Sequence, residues 1–523
     1  MSVFENEYTW GKAITNNTVN EFDEKFEKAF EEVKTDLGKE YPIIINGEEI
    51  FLDNKFDVKS PSDTRIIVAK FPRATKEDTI NAINAANDAF FEWSSVSYKQ
   101  RSQIFKDCAD LFSKQKFVLA AIMSFENGKT RGEAMGDVDE AIDFMRFYAY
   151  QLEINEGFER ETSHPNPKEK TRIILKPFGV WGIISPFNFP SAIAIGMTTG
   201  ALITGNTVVL KPASDTPVSS FKFAEAIYKK LPSGTINFVT GPGSVVGKTL
   251  IENPIVSGIA FTGSKEVGMS GFQKFTEKKV KPFISEMGGK NPVIVTEHAD
   301  LEKAADGIMH AAFGYGGQKC SACSRVYVQK NVANKFIQKL TQKTNSLNIG
   351  LPWKKDVFLG PIINKTAKEK YEAAIISAKN DGQVLAGGSV LKNGDYEHGY
   401  YVEPTIITKL PREHRLVKEE FFLPILCIDE FEHIDEAIKL ANDTEYGLTA
   451  GIFSENKEEI EKFFDKIQAG TIYANRAASA TTGALVQSQP FVGWKNSGIS
   501  GKGAGGERYL QQFLRAQTQT RCD

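Results

Sequence analysis

From residue 179 onward, short apolar runs alternate with helix-length segments, and no other feature of the chain restricts its topology as strongly. The runs 180–184, 207–210, 236–240 and 259–262 are interleaved with helical segments at 217–230, 244–252 and 265–277. Apolar runs of four or five residues suit strands buried on both faces. Parallel neighbours of that kind need a crossover of about a dozen residues or more, usually a helix. A second series of the same type runs from 293 to about 474, with helices 301–313, 332–345 and 366–379 and strands 325–329 and 383–386. The pattern predicts an α/β protein with two parallel-sheet domains.

Upstream, Phe22, Phe26, Phe30, Val33 and Leu37 lie on one stripe of a predicted helix over 22–37, with Gly38 as its stop. A strand at 42–45 turns at Asn46-Gly47, Thr75 and Asp78 open a helix as a capping box, and 96–152 is helical in composition. The polar stretch 153–171 interrupts this order, and 515–521 looks like a polar strand at an edge or interface. With 63 Lys+Arg against 66 Asp+Glu among 523 residues, the net charge of −3 argues against a general nucleic-acid binder. Five scattered cysteines fit a reducing compartment, and Glu5 and Glu7 stand where a signal peptide needs basic and apolar residues. No run reaches the roughly 18 apolar residues of a membrane span. A soluble, cytoplasmic protein without membrane partners is expected.

Four segments carry candidate chemistry. Gly241-Pro242-Gly243 opens a helix after a strand, where backbone N–H groups favour phosphate. However, Pro242 breaks the P-loop pattern and Val246 the G-x-G-x-x-G pattern. Phe261-Thr262-Gly263-Ser264 forms a second such turn 22 residues on, and Lys211-Pro212 ends a third strand. Together these turns describe one edge of a parallel sheet, where nucleotides bind. Glu286 precedes Gly288-Gly289 and fits either a cleft carboxyl or an exposed loop residue. Gly317-Gln318-Lys319-Cys320 ends a Gly-rich loop. Cys320 and Cys323 are too few for structural zinc beside six scattered histidines, so no metal is expected. A nucleophilic Cys320, its pKa lowered by Lys319 and nearby N–H groups, and a buried inert cysteine both remain open at this point.

These pieces, in this order, resemble the aldehyde dehydrogenase superfamily over nearly the whole chain. The matching segments are Ser185-Pro186-Phe187-Asn188-Phe189-Pro190, 205–212, 261–264, Glu286-Met287-Gly288-Gly289-Lys290, 317–320 and Glu419-Glu420-Phe421-Phe422, with 34 residues from Glu286 to Cys320. The resemblance implies a Rossmann-type NAD(P)-binding domain from 1–152 and 176–296, including an N-terminal helical extension. It also implies a catalytic domain over 297–500 and a small β oligomerisation arm from 153–175 and 507–523, hence a homo-oligomer. It implies that Cys320 attacks an aldehyde, that Asn188 and the Cys320 N–H hold the oxyanion, and that Glu286 activates the water that hydrolyses the thioester. Lys211 and Glu420 would bind the two riboses, Gly263 and Ser264 would face the pyrophosphate beside Phe261, Gly241 and Gly243 would pack at the adenine side, and Phe422 would hold the nicotinamide ribose.

NAD is the implied cofactor. Ser214 stands where NAD-preferring members often carry Glu, which leaves NADP possible. Leu423 and Val492 replace glycines usual in the superfamily and put loop shape in question. Retention of Cys320, Glu286, Asn188 and Lys211 argues against a non-catalytic binding protein, Glu286 against a CoA-acylating enzyme, and Pro242 against a P-loop ATPase.

Within the superfamily, Gln318–Arg325, 473–476, 482–484, 489–491 and the N-terminal extension are similar to the branch that oxidises L-glutamate γ-semialdehyde in proline catabolism. That likeness implies that Ser321, Gly483 and Ala484 bind the α-carboxylate while Phe187 and Phe491 sandwich the aliphatic middle. The alternative is another semialdehyde dehydrogenase, for succinic or sugar-derived semialdehyde, with Arg325 or Arg476 as the carboxylate clamp.

Overall fold

The computed structural model describes residues 4–477 and 485–522. Two seven-stranded sheets dominate it. In the first, strands Phe283–Glu286, Val256–Thr262, Val180–Ile184, Thr207–Lys211 and Ile236–Phe238 lie parallel in that order, and the antiparallel hairpin Ile43–Ile45/Glu48–Ile50 extends the far edge. Asn46 and Gly47 turn that hairpin with φ of 54° and 78°, the paired left-handed conformation that a two-residue hairpin loop requires.

The second sheet has the order Gln383–Ala386, Thr405–Thr408, Ile425–Phe431, Cys323–Gln329, Asn291–Val295, Thr449–Phe453, Thr471–Ala474, and all but the first pair run parallel. It begins at Asn291, so the boundary expected at 297 would separate the strand Asn291–Val295 from its own sheet. The strand is contiguous with the turn after Glu286, and the sequence alone shows no break there.

Helices Tyr98–Asn127 and Arg131–Ile154 pack against each other and against Ala192–Ile203, a helix that is apolar all round and almost wholly buried. Gly128, with φ of 76°, reverses the chain between the first two. The expected opening helix spans Val19–Lys34; Phe22, Phe26, Phe30 and Val33 are buried, whereas Leu37 lies beyond its end. Thr75 and Asp78 form the expected capping box. The polar excursion becomes strands Glu159–Thr162 and Glu169–Pro177, and the latter pairs antiparallel with the C-terminal strand Leu514–Cys522. Among the described residues, no helix is long and apolar enough to cross a membrane.

Candidate active site

The carboxyl ends of the first sheet's strands face the amino ends of the second sheet's strands, and between them lies a cleft of about 1160 Å³. Asn188, Gly263, Ser264, Cys320, Glu420 and Phe422 line it. A crevice outside the carboxyl edge of a parallel sheet is where α/β proteins bind nucleotides.

Asn188 sits on the loop after strand Val180–Ile184, and that loop is tied down from several sides. Ser185 N donates to Lys211 O (3.1 Å), Asn127 Nδ2 to Phe187 O (3.4 Å), Ser220 Oγ to Pro190 O (2.8 Å) and Ala192 N to Asp137 Oδ1 (2.6 Å). The Lys129 ammonium, paired with Asp137 at 2.7 Å, stands 3.5 Å above the Phe189 ring. The buried Asn188 side chain is therefore held on a rigid frame.

Cys320 follows three left-handed residues, Tyr315, Gly316 and Gly317, with φ of 51°, 62° and 66°. A Cβ on Gly317 would stand 2.4 Å from Leu423 O, so glycine is required there for packing as well as for φ. Gln318 accepts from Ile363 N (2.8 Å) and donates to Tyr315 O (3.1 Å). Asn291 Nδ2 donates to Cys320 O (2.7 Å) and Ala322 O (2.9 Å), while its Oδ1 accepts from Thr449 N (3.0 Å). A Cβ on Gly289 would approach Cys320 O to 2.5 Å, so Gly289 lets the two loops touch. Asn291 carries no signal of its own in the sequence because it acts on segments distant along the chain, and the motif that contains Gln318 does not reveal its bond to Ile363.

The electrostatics of the thiol differ from expectation. Lys319 pairs with Glu133 at 3.1 Å and is not among the groups that shift the thiol, whereas the backbone N–H groups of Cys320 and Ser321 lower its pKa as expected. Burial, then the carboxylates of Glu420 and Glu286, push the Cys320 thiol well above its ordinary value, and the resting group is the protonated thiol. Glu286 ends strand Phe283–Glu286, and burial raises its pKa to about 8. Its Oε2 is buried without a hydrogen-bond partner. Glu420, raised by burial to about 7, accepts from Gly289 N at 2.8 Å.

Other expected site residues are placed as follows. Lys211 is buried at a strand end, donates to Pro212 O (2.9 Å), and has its pKa lowered by burial to about 8. Ser214 Oγ donates to Gly241 O (3.4 Å), and Gly243 begins a single π-helical turn with open space about it. Ser264 caps helix Lys265–Thr276, accepting from Val267 N (3.4 Å). Phe261 does not line the cleft; it is buried in the core with its ring under Gly263, where a Cβ would stand 2.6 Å from it. Phe187 and Phe422 meet edge to face at 5.7 Å. Ser321 is half-buried beside the nucleophile, and Phe491 is half-buried on a turn whose backbone pairs with Ala504. Gly483 and Ala484 lie outside the described residues.

Arg325, a candidate carboxylate clamp, is not available for that role. All five of its N–H donors are engaged, by Lys290 O twice, Leu440 O, Ala441 O and the Tyr327 hydroxyl, at 2.7–3.0 Å. It ties the second sheet to the last turn of helix Ile434–Asn442 and to Lys290.

The profile of the Aldehyde dehydrogenase family matches residues 51–519, and the chain belongs to that family. More particularly, it is 38% identical over 512 residues to the 1-pyrroline-5-carboxylate dehydrogenase of Geobacillus sp. (strain WCH70), covering 97% of each chain. Among solved structures it resembles the 1-pyrroline-5-carboxylate dehydrogenase from Thermus with bound NAD (TM-score 0.93, 32% identity, 100% of both chains). It also resembles the betaine aldehyde dehydrogenase from Staphylococcus aureus in complex with NAD+ (TM-score 0.88, 30% identity, 94% of this chain and 95% of that one).

Proposed function

We propose that this chain oxidises L-glutamate γ-semialdehyde to L-glutamate with NAD or NADP. The observation that carries this reading is one cleft holding a half-buried thiol and a rigidly framed amide, with a carboxyl that has an unbonded oxygen and acts electrostatically on that thiol, in a chain similar end to end to 1-pyrroline-5-carboxylate dehydrogenases.

The residues present suit a dinucleotide. The N-terminus of helix Lys265–Thr276 opens on the cleft behind Gly263 and Ser264, a favourable place for a pyrophosphate. Glu420 and Lys211 are the acceptor and donor offered to ribose hydroxyls. Uncharged Ser214 adds no repulsion against a 2′-phosphate. When bound, the dinucleotide supplies the hydride acceptor.

The chain's own groups do the rest. As the Cys320 sulfur bonds to the aldehyde carbon, the carbonyl electron pair moves to oxygen, and the thiol proton passes to ionised Glu286. The Asn188 amide and the Cys320 N–H donate to that oxyanion. After hydride loss leaves a thioester on Cys320, and after Glu286 has released its proton to solvent, Glu286 takes a proton from water. The water oxygen adds to the thioester carbon, the C–S bond breaks, Glu286 returns its proton to the departing sulfur, and glutamate leaves. Saturation of Arg325 removes one of the two arginines that could clamp a dicarboxylic semialdehyde. The polar strand Leu514–Cys522, an edge strand of its sheet, supports an assembly arm that pairs with another copy.

Steady-state kinetics with glutamate semialdehyde and succinic semialdehyde, each with NAD and then NADP, tests this reading. The amino-acid aldehyde should lead in kcat/KM by about a hundredfold or more, the discrimination of a site built around polar groups. Equal or better turnover of succinic semialdehyde overturns it.

A further inference from the structure

Residues 4–9 lie across helices Tyr98–Asn127 and Arg131–Ile154, and their attachment is denser than a chain end usually shows. Glu7 N donates to Asp143 Oδ1 (2.9 Å), and the Thr9 hydroxyl donates to Asp139 Oδ1 (2.8 Å), one helical turn away. The Glu7 carboxylate accepts from Ser113 Oγ (2.7 Å), Lys116 Nζ (2.9 Å) and Arg146 Nη1 (2.5 Å), and these partners outweigh its burial and hold its pKa down near about 2. The Phe4 ring meets Phe147 edge-on at 5.3 Å.

From this fixed segment, Asn6 Nδ2 donates to two acceptors: Asp143 Oδ2 at 2.9 Å and the backbone oxygen of Val486 at 3.1 Å. Val486 is 3% exposed and belongs to the main core cluster. It stands in a tight turn in which Gln489 N donates to Leu485 O (3.0 Å) and Gln487 N to Gly505 O (2.8 Å). Two residues further on is Phe491, backbone-paired with Ala504, and Gly505 N donates in turn to the Tyr148 hydroxyl (3.0 Å) on helix Arg131–Ile154. The turn 485–491 is thus held by residues 504–505 on one side and by Asn6 on the other.

We propose that Asn6 is a positioning residue for substrate specificity: its amide fixes the Val486 carbonyl, and through it the turn 485–491 that presents Phe491 to the aliphatic middle of the amino-acid substrate. This rests on the substrate reading above. It assigns the N-terminal extension a role that an isolated cap on the helices would not have, because Asn6 reaches a turn 480 residues away in sequence.

The test uses the full-length enzyme with Asn6→Ala, and with Asn6→Asp, which keeps the shape but cannot donate to Val486 O. Amide hydrogen exchange of Gln487, Gln489 and Phe491 should accelerate in both variants, while exchange in the two seven-stranded sheets stays unchanged. KM for glutamate semialdehyde should rise about tenfold, the factor matching one lost hydrogen bond to a buried carbonyl, with kcat and the kinetics on propanal unchanged. Unchanged exchange at 487–491, or equal KM changes on both aldehydes, overturns the proposal. If wild-type enzyme shows no preference for glutamate semialdehyde over propanal, the substrate reading fails and specificity positioning falls with it; the exchange data then report separately whether Asn6 holds the turn.

Discussion

Two glutamates whose pKa is raised by burial, one in the helical layer and one at the end of strand Phe283–Glu286, show how the same residue type can support structure or chemistry. Glu126 stands at the end of helix Tyr98–Asn127, and burial raises its pKa to about 7. Its two oxygens accept from Val218 N, Ser219 N (3.0 Å) and Ser219 Oγ (2.5 Å), the unpaired donors at the start of helix Pro217–Ile227. It caps one helix from another. Glu286 is raised by burial alone, to about 8, and its Oε2 has no partner. Displacement of the pKa is similar at the two sites, so it does not mark the base. What differs is whether the oxygens are committed. A satisfied carboxylate is a strut, and an uncommitted one acting on the Cys320 thiol is free to take a proton from substrate or water.

The sharpest way to break this contrast begins with the thiol that Glu286 serves. Cys320→Ala should lower aldehyde oxidation by about four orders of magnitude or more while dinucleotide binding, followed by fluorescence titration, persists. Retained turnover would remove the nucleophile and the need for a base with it. The next largest effect is at the base. Glu286→Gln should slow steady-state turnover about 10²–10⁴-fold, and a burst of reduced dinucleotide should appear as the thioester accumulates. Wild-type kcat should climb with pH up to about 8, because protonated Glu286 cannot accept a proton, and flatten above that value. That limb should vanish in Glu286→Gln, and a wild-type profile flat from pH 6 to 9 would deny Glu286 the role.

Much of the fold is legible in the sequence because it rests on periodicity. The runs at 180–184 and 383–386 become strands with the expected bounds, and the Thr75 capping box forms as written. The division at 297 misses because strand Asn291–Val295 follows the Glu286 turn without a linker. At the site, the chemistry-bearing types at Asn188, Glu286, Cys320 and Glu420 could be named from motifs, and all four stand at or beside one cleft. Their protonation states could not be read, since these depend on burial and on side-chain direction. Lys319 adjoins Cys320 in sequence, yet its ammonium belongs to Glu133. Arg325 lies five residues from the nucleophile and spends every donor on carbonyls and one hydroxyl. Proximity in sequence identifies neither partner. The supporting residues Asn291 and Glu133 carry no local signal, because each acts across the fold.

The smallest expected effect separates the two glutamates by stability. Replacing Glu126 with Gln sets an amide N–H₂ against helix donors that need acceptors. The protein should lose about 1–3 kcal/mol of stability while kcat per folded molecule is kept. Glu286→Gln should behave in the opposite way. A carboxyl whose folded pKa lies above its unfolded value of 4.5 favours the fold most below that value, and this advantage is lost as pH rises through about 8. Above pH 8 the wild type therefore holds a buried, unpartnered charge that the Gln variant lacks. Thermal melts at pH 5 and pH 9 should show the wild type losing more stability over that interval than Glu286→Gln, by up to roughly 4 kcal/mol. If instead Glu126→Gln melts like wild type and Glu286→Gln is the destabilised variant, Glu286 is the strut and the base must be sought elsewhere in the cleft.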